Sequence, residues 1–260
     1  MNRFLEYCNH ILLFLKRNIL KKFALFIFER FQKISPKKLY LQYHPDSYSL
    51  AKKYPEFNLL FERFIQQNEK NNLGDINRLW SFIININQII EERIEGDFAE
   101  VGVWRGNTAA VLAYYAVLGK RKVFLFDTFK GFDKRDLKGL DNTKPVEFSD
   151  TSVSFVKNVI GENSEACEFI EGYFPESLNN SHQLRYSIVS LDCDLYEPTK
   201  AGLDFFYPLL SRGGILLLHD YSGGYWNGCK KAIDEFCELH KEFVILLPDK
   251  SGSAFIRKTQ

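Results

Sequence analysis

Between Gly96 and Arg257, short apolar runs alternate with stretches of helical periodicity, and this alternation constrains the chain more than any other feature. Phe98–Val103, Lys122–Phe126, Cys167–Ile170, Tyr186–Leu191, Ile215–Leu218, Phe243–Leu247 and Ala254–Arg257 read as strands. Thr108–Leu118, Thr151–Ile160, Thr199–Leu210 and Gly228–His240 read as helices. Strands interleaved with helices predict a mostly parallel sheet covered on both faces. Three strands end in or beside an acidic residue: Asp127, Asp192 and Asp220. In open α/β sheets the ligand lies at the carboxyl ends of the strands. These carboxylates are therefore candidates for holding a cofactor, a metal ion, or both.

Residues 1–95 read as a helical N-terminal extension and 96–260 as the domain that carries the sheet. A helix starting after Asp75 is expected to run to about Glu95. Residues 1–38 hold nine Lys or Arg against two Glu, a net +7 in a chain of net +1, so the remainder carries −6 (1 − 7). The whole chain is thus no nucleic-acid binder by charge. The apolar runs Ile11–Leu15 and Phe23–Phe28 are split by Lys16, Arg17, Lys21 and Lys22, too short and too charged to span a bilayer. Two uses fit this basic arm: packing on the body or on a second copy in a homo-oligomer, and peripheral contact with an anionic inner membrane surface. Five cysteines, an odd count with no Cys-x-x-Cys pair, speak against a disulfide framework or zinc site and for a cytoplasmic location.

The first strand runs into Glu100-Val101-Gly102-Val103-Trp104-Arg105-Gly106. A dinucleotide loop would read Gly-x-Gly-x-x-Gly. Here Glu100 stands at its first glycine and Arg105 at its third, and a carboxylate repels a pyrophosphate. Glu100 better suits a cationic cofactor with an amino group and a sulfonium, as in S-adenosylmethionine. Asp127, ending the second strand, is placed to accept hydrogen bonds from ribose hydroxyls. Loop polarity alone would explain either acid singly.

Asp192 and Asp194 would share a face if the fourth strand extends that far, and Asp220 ends the next strand. Hard oxygen ligands of this kind favour Mg²⁺, Mn²⁺ or Ca²⁺. Asp194 or Glu197 could instead cap the following helix, with Pro198 in its first turn. His219 reads equally as a metal ligand, a general base or a satisfied residue at a strand end. Tyr221, Tyr225 and Trp226 either wall a sugar or aromatic acceptor or simply pack.

Taken in order, EVGVWRG (Glu100–Gly106), DTFKGF (Asp127–Phe132), DTSVSFV (Asp150–Val156), GYFPESL (Gly172–Leu178), LDCDLYEPT (Leu191–Thr199) and HDY (His219–Tyr221) resemble the macrocin O-methyltransferase (TylF/MycF-type) family. The resemblance implies a Rossmann-like class I methyltransferase with a seven-stranded sheet whose last strand is antiparallel. It implies S-adenosylmethionine as donor, Mg²⁺ or another divalent cation as cofactor, and a sugar hydroxyl or other glycan as the small-molecule acceptor. Carried over, Glu100, Gly102, Gly106 and Asp127 would hold the cofactor, with Tyr173 and Phe174 near the adenine. Asp192 would be metal ligand and proton acceptor, Asp220 a second ligand, and His219 a ligand or base. Lys130–Asp150 would form a mobile lid. His219 departs from the acidic pair usual in the family. Two other classes compete: an NAD-dependent sugar-modifying oxidoreductase, and a non-catalytic membrane-associated protein on a methyltransferase fold.

Overall fold

The computed structural model describes Phe23, residues 53–182 and residues 184–260, so the basic arm 1–38 lies outside the described residues apart from Phe23. Among residues 53–260, three helices, α1 (Phe57–Ile65), α2 (Glu69–Asn72) and α3 (Ile76–Glu91), precede the sheet. The chain then runs β1 (Asp97–Val101), α4 (Asn107–Gly119), β2 (Val123–Asp127), α5 (Val153–Ile160), β3 (Cys167–Glu171), β4 (Tyr186–Leu191), α6 (Tyr196–Leu209), β5 (Leu210–Leu218), α7 (Asn227–His240), β6 (Ile245–Leu246) and β7 (Ala254–Arg257). The sheet order is β3-β2-β1-β4-β5-β7-β6. β7 is antiparallel to both β5 and β6, while the other pairs are parallel.

Strand periodicity sorts the core into two layers. Phe98, Leu125, Ile188, Ile215 and Leu217 face α1, α3 and α4. Their neighbours Ala99, Phe124, Val189, Leu216 and Leu218 face the side of α6 and α7. α4 is buried on almost every side, from Ala109 to Ala116, because it lies between the sheet and the helices α1, α3 and α5. Ser152 starts α5 by accepting a hydrogen bond from the Phe155 amide (3.1 Å). β1 and β4 are adjacent, yet α4 follows β1 on one face and α6 follows β4 on the other. That reversal opens a crevice at the carboxyl ends of these two strands.

Several boundaries move from the sequence reading. β5 begins at Leu210, five residues before the expected Ile215, and takes in Gly213-Gly214. β6 shrinks to two residues. α3 ends at Glu91, and Asp75 makes no side-chain cap to it; its Oδ1 accepts from the Lys250 amide (3.0 Å) and ties the helix start to the loop before β7. No helix among the described residues is long and apolar enough to cross a membrane.

Candidate active site

A cavity of about 380 Å³ lies over the crevice. Its walls come from the loops after all five parallel strands and from α2 and α3. Gly102, Asp127, Tyr173, Phe174, Asp192, His219 and Asp220, seven of the nine anticipated site residues, line it together.

Gly102 is needed where β1 and β4 end side by side. Its φ is +85°, and a Cβ there would lie 2.0 Å from the Asp192 carbonyl oxygen. Only glycine tolerates both. Gly102→Ala is therefore expected to destabilise the fold by about 3 kcal/mol, from overpacking plus backbone strain. It should also abolish cofactor binding. Denaturant unfolding and calorimetric titration check both, and an unaltered protein would refute the close approach.

Asp127 fixes the loop that begins at Gly102. Its Oδ2 accepts from the amides of Val103 (2.7 Å) and Trp104 (2.8 Å), and its Oδ1 from the amide of Phe129 (2.7 Å). Burial raises its carboxyl above the usual value, against the pull of those amides. Oδ1 retains a lone pair that a ribose hydroxyl could use. The Tyr173 hydroxyl donates to Asp136 (2.6 Å), under the guanidinium of Arg135, 3.8 Å from the ring centre.

Two of the expected cofactor residues stand outside the cavity lining. Glu100 does not line the cavity. It lies two positions after Phe98 on β1, so strand alternation turns it under α4. There it is fully buried, and Oε1 accepts from Thr108 (2.6 Å) and Ser190 (3.2 Å). Burial pushes its carboxyl up to about 8 despite the Thr108 hydrogen bond, and Oε2 has no partner. Gly106 also stands outside the cavity lining. It serves packing: φ is +77°, and a Cβ would meet Val156 Cγ1 at 2.5 Å.

The loop after β4 meets His219 and Arg78. Asp192 Oδ1 lies 2.7 Å from His219 Nδ1, and the same nitrogen lies 2.6 Å from Asp220 Oδ2. Asp192 Oδ2 accepts from Arg78 Nη2 at 2.5 Å. Burial alone would raise the Asp192 carboxyl, but the His219 and Arg78 charges hold it well below the ordinary carboxylate range. Burial and Arg78 pull the His219 imidazole down, yet Asp192 and Asp220 outweigh them and lift it to about 10. A protonated His219 thus bridges two carboxylates, which disfavours the base reading. Asp194 does not continue β4; the chain turns there at φ +61°. Burial and the nearby Asp220 raise the Asp194 carboxyl well above its ordinary value.

Asp192, His219 and Asp220 each offer a ligand atom, and these lie within 4.8 Å of one another. The bridging imidazolium marks a point where two carboxylate oxygens already converge on positive charge. On loss of the His219 Nδ1 proton, that nitrogen and the two carboxylate oxygens fit a divalent ion, with one nitrogen donor among the oxygens.

The other expectations divide. Neither Asp194 nor Glu197 caps α6; Asp141 Oδ2 accepts from the Tyr196 amide (2.8 Å). Asp136 and Asp141, both buried, dock the Lys130–Asp150 stretch against the domain. Of the three aromatic residues after His219, only Trp226 lines the cavity. Tyr221 donates to Asp234 (2.7 Å), and Tyr225 is exposed. Sequence reasoning missed Arg78. Its one signal is that Arg78, Ser81 and Asn85 form a polar stripe along α3, and all three are buried.

The sequence profile described as Macrocin-O-methyltransferase (TylF) matches residues 72–246. The chain belongs to this family. The TylF-family match spans α3 through β6, every element that lines the cavity except α2 and the loop before β7. Two relatives are named O-methyltransferases. The 8-demethyl-8-(2,3-dimethoxy-alpha-L-rhamnosyl)-tetracenomycin-C 4'-O-methyltransferase of Streptomyces olivaceus is 26% identical over 164 residues, covering 58% of this chain and 61% of that one. The mycinamicin III 3''-O-methyltransferase of Micromonospora griseorubida is 26% identical over 172 residues, covering 60% and 65%. The chain thus spans under two thirds of the length of these relatives. The structure of the O-methyltransferase NovP shares the fold, with a TM-score of 0.62 and 24% identity over 71% of this chain and 81% of that one.

Proposed function

We propose that this TylF-family chain transfers the methyl group of S-adenosylmethionine to a hydroxyl of a sugar-containing acceptor. The observation that carries the reading is one cavity that joins the Gly102–Asp127 crevice to the Asp192 carboxylate. Family membership and the relatives' named activities support it.

Gly102 lets the backbone approach the methionine portion, and Asp127 accepts from the ribose. Tyr173 and Phe174 lie beside the adenine. Asp192 accepts a hydrogen bond from the acceptor hydroxyl and orients a lone pair at the methyl carbon. The new C–O bond forms as the C–S bond breaks, and its electron pair stays on sulfur. Asp192 is a weak base, so it takes the proton late, once the attacking oxygen carries oxonium character, and then passes it to solvent. Asp192 and Asp220, with His219, would hold Mg²⁺ or another divalent cation, which when bound lowers the pKa of the hydroxyl. A carboxylate–imidazole set suits Mn²⁺ as well as Mg²⁺.

The test is transfer of labelled methyl from S-adenosylmethionine to a panel of aryl rhamnosides and hexosides, with and without EDTA. Label on a sugar oxygen is expected, with a loss of rate on chelation that Mn²⁺ or Mg²⁺ restores. Calorimetry that detects no S-adenosylmethionine binding would sink the whole reading. Full activity in EDTA would remove only the ion.

A further inference from the structure

Arg78 lies in the first turn of α3, where the helix dipole disfavours a cation. Its side chain is 10% exposed. Leu79, Trp80 and Phe82 beside it are core residues. Burying a guanidinium there carries a large desolvation cost. The group that offsets it is Asp192, whose Oδ2 lies 2.5 Å from Nη2, helped at longer range by Asp75. Asp192 is therefore held by both oxygens from two different elements: Arg78 on α3 and His219 after β5.

We infer that Arg78 is a positioning residue for Asp192, and that it makes α3 part of the catalytic apparatus. This inference rests on the methyl-transfer reading. A carboxylate with one tethered oxygen can still turn about its Cβ–Cγ bond. One tethered at both oxygens presents its free lone pairs in one plane, towards the acceptor hydroxyl. Arginine keeps its charge at every working pH, so the tether on Asp192 Oδ2 persists throughout turnover.

The experiment compares Arg78→Gln, Arg78→Lys, Asp192→Asn and the double variant Arg78→Gln/Asp192→Asn in the full chain. Arg78→Gln is expected to lower kcat about 10²-fold, as loss of a preorganised donor commonly does. The S-adenosylmethionine Kd, read by calorimetry, should stay within threefold of the parent. Arg78→Lys should recover at least tenfold of the lost kcat, a rescue that a merely space-filling role would not give. In denaturant unfolding, Asp192→Asn should shift the midpoint less in the Arg78→Gln background than alone. The unfolding cycle reads the clamp even if no tested glycoside is methylated, so failure of the activity reading and failure of the clamp are separable. Arg78→Gln with kcat within threefold of the parent, Lys no better than Gln, or additive midpoint shifts would each overturn the inference.

Discussion

Asp192→Asn is expected to lower kcat for methyl transfer by at least about 10²-fold, the usual contribution of a positioned proton acceptor. S-adenosylmethionine affinity should change little, because the Gly102 loop and the Asp127 hydrogen bonds do not pass through the Asp192 side chain. The substitution keeps shape and removes charge. An amide must also present its N–H groups to Arg78 or to His219, both donors. One buried cation then loses its partner, and breaking a buried pair in this way costs about 3–5 kcal/mol. The variant should therefore unfold at lower denaturant while still binding cofactor. Labelled-methyl assays, calorimetry and unfolding curves give the three readouts. A variant that keeps wild-type turnover would strip Asp192 of its role. One that loses cofactor binding in step with activity would show that the carboxylate serves the crevice as a whole.

The sheet was legible because its central strands are buried on both faces, and Ile215–Leu218 reads as a continuous apolar run. The strand ends were legible too, since Asp127, Asp192 and Asp220 interrupt those runs with charge. Side-chain facing was harder to read. Glu100 looks like a loop acid in sequence, but two-residue alternation from Phe98 points it under α4, one layer behind the cavity-lining Thr108. Arg78 was illegible for a different reason. Its partner lies 114 positions away, and local periodicity carries no information on such a contact. The same holds for Asp141, which satisfies the start of α6 from 55 positions upstream, so the cap sought at Asp194 or Glu197 was already supplied. Composition and spacing reveal which acids lie at the rim. Only the packed sheet and helices decide which of them face the cavity and which cations they meet there.

Glu100→Gln distinguishes these alternatives most sharply. The Glu100 carboxyl is pushed by burial from 4.5 up to about 8. Between those values the folded chain retains a proton that the unfolded chain has released. Stability from this group is thus complete below about pH 4.5 and is lost as pH rises towards 8. The slope approaches 1.4 kcal/mol per pH unit, so the accumulated loss by pH 8 is about 4 kcal/mol at most. Glutamine has no such slope, and its side-chain oxygen can still accept from Thr108 and Ser190. Glu100→Gln should match the parent near pH 4.5, exceed it by about 3 kcal/mol at pH 8, and bind S-adenosylmethionine as the parent does. Guanidinium unfolding at three pH values, with calorimetry at one, reads both effects. Parallel pH slopes together with a weakened cofactor would instead mean that Glu100 is ionised and meets the sulfonium or amino group directly. The carboxylate would then belong to the cofactor site, as its place in the first loop had suggested.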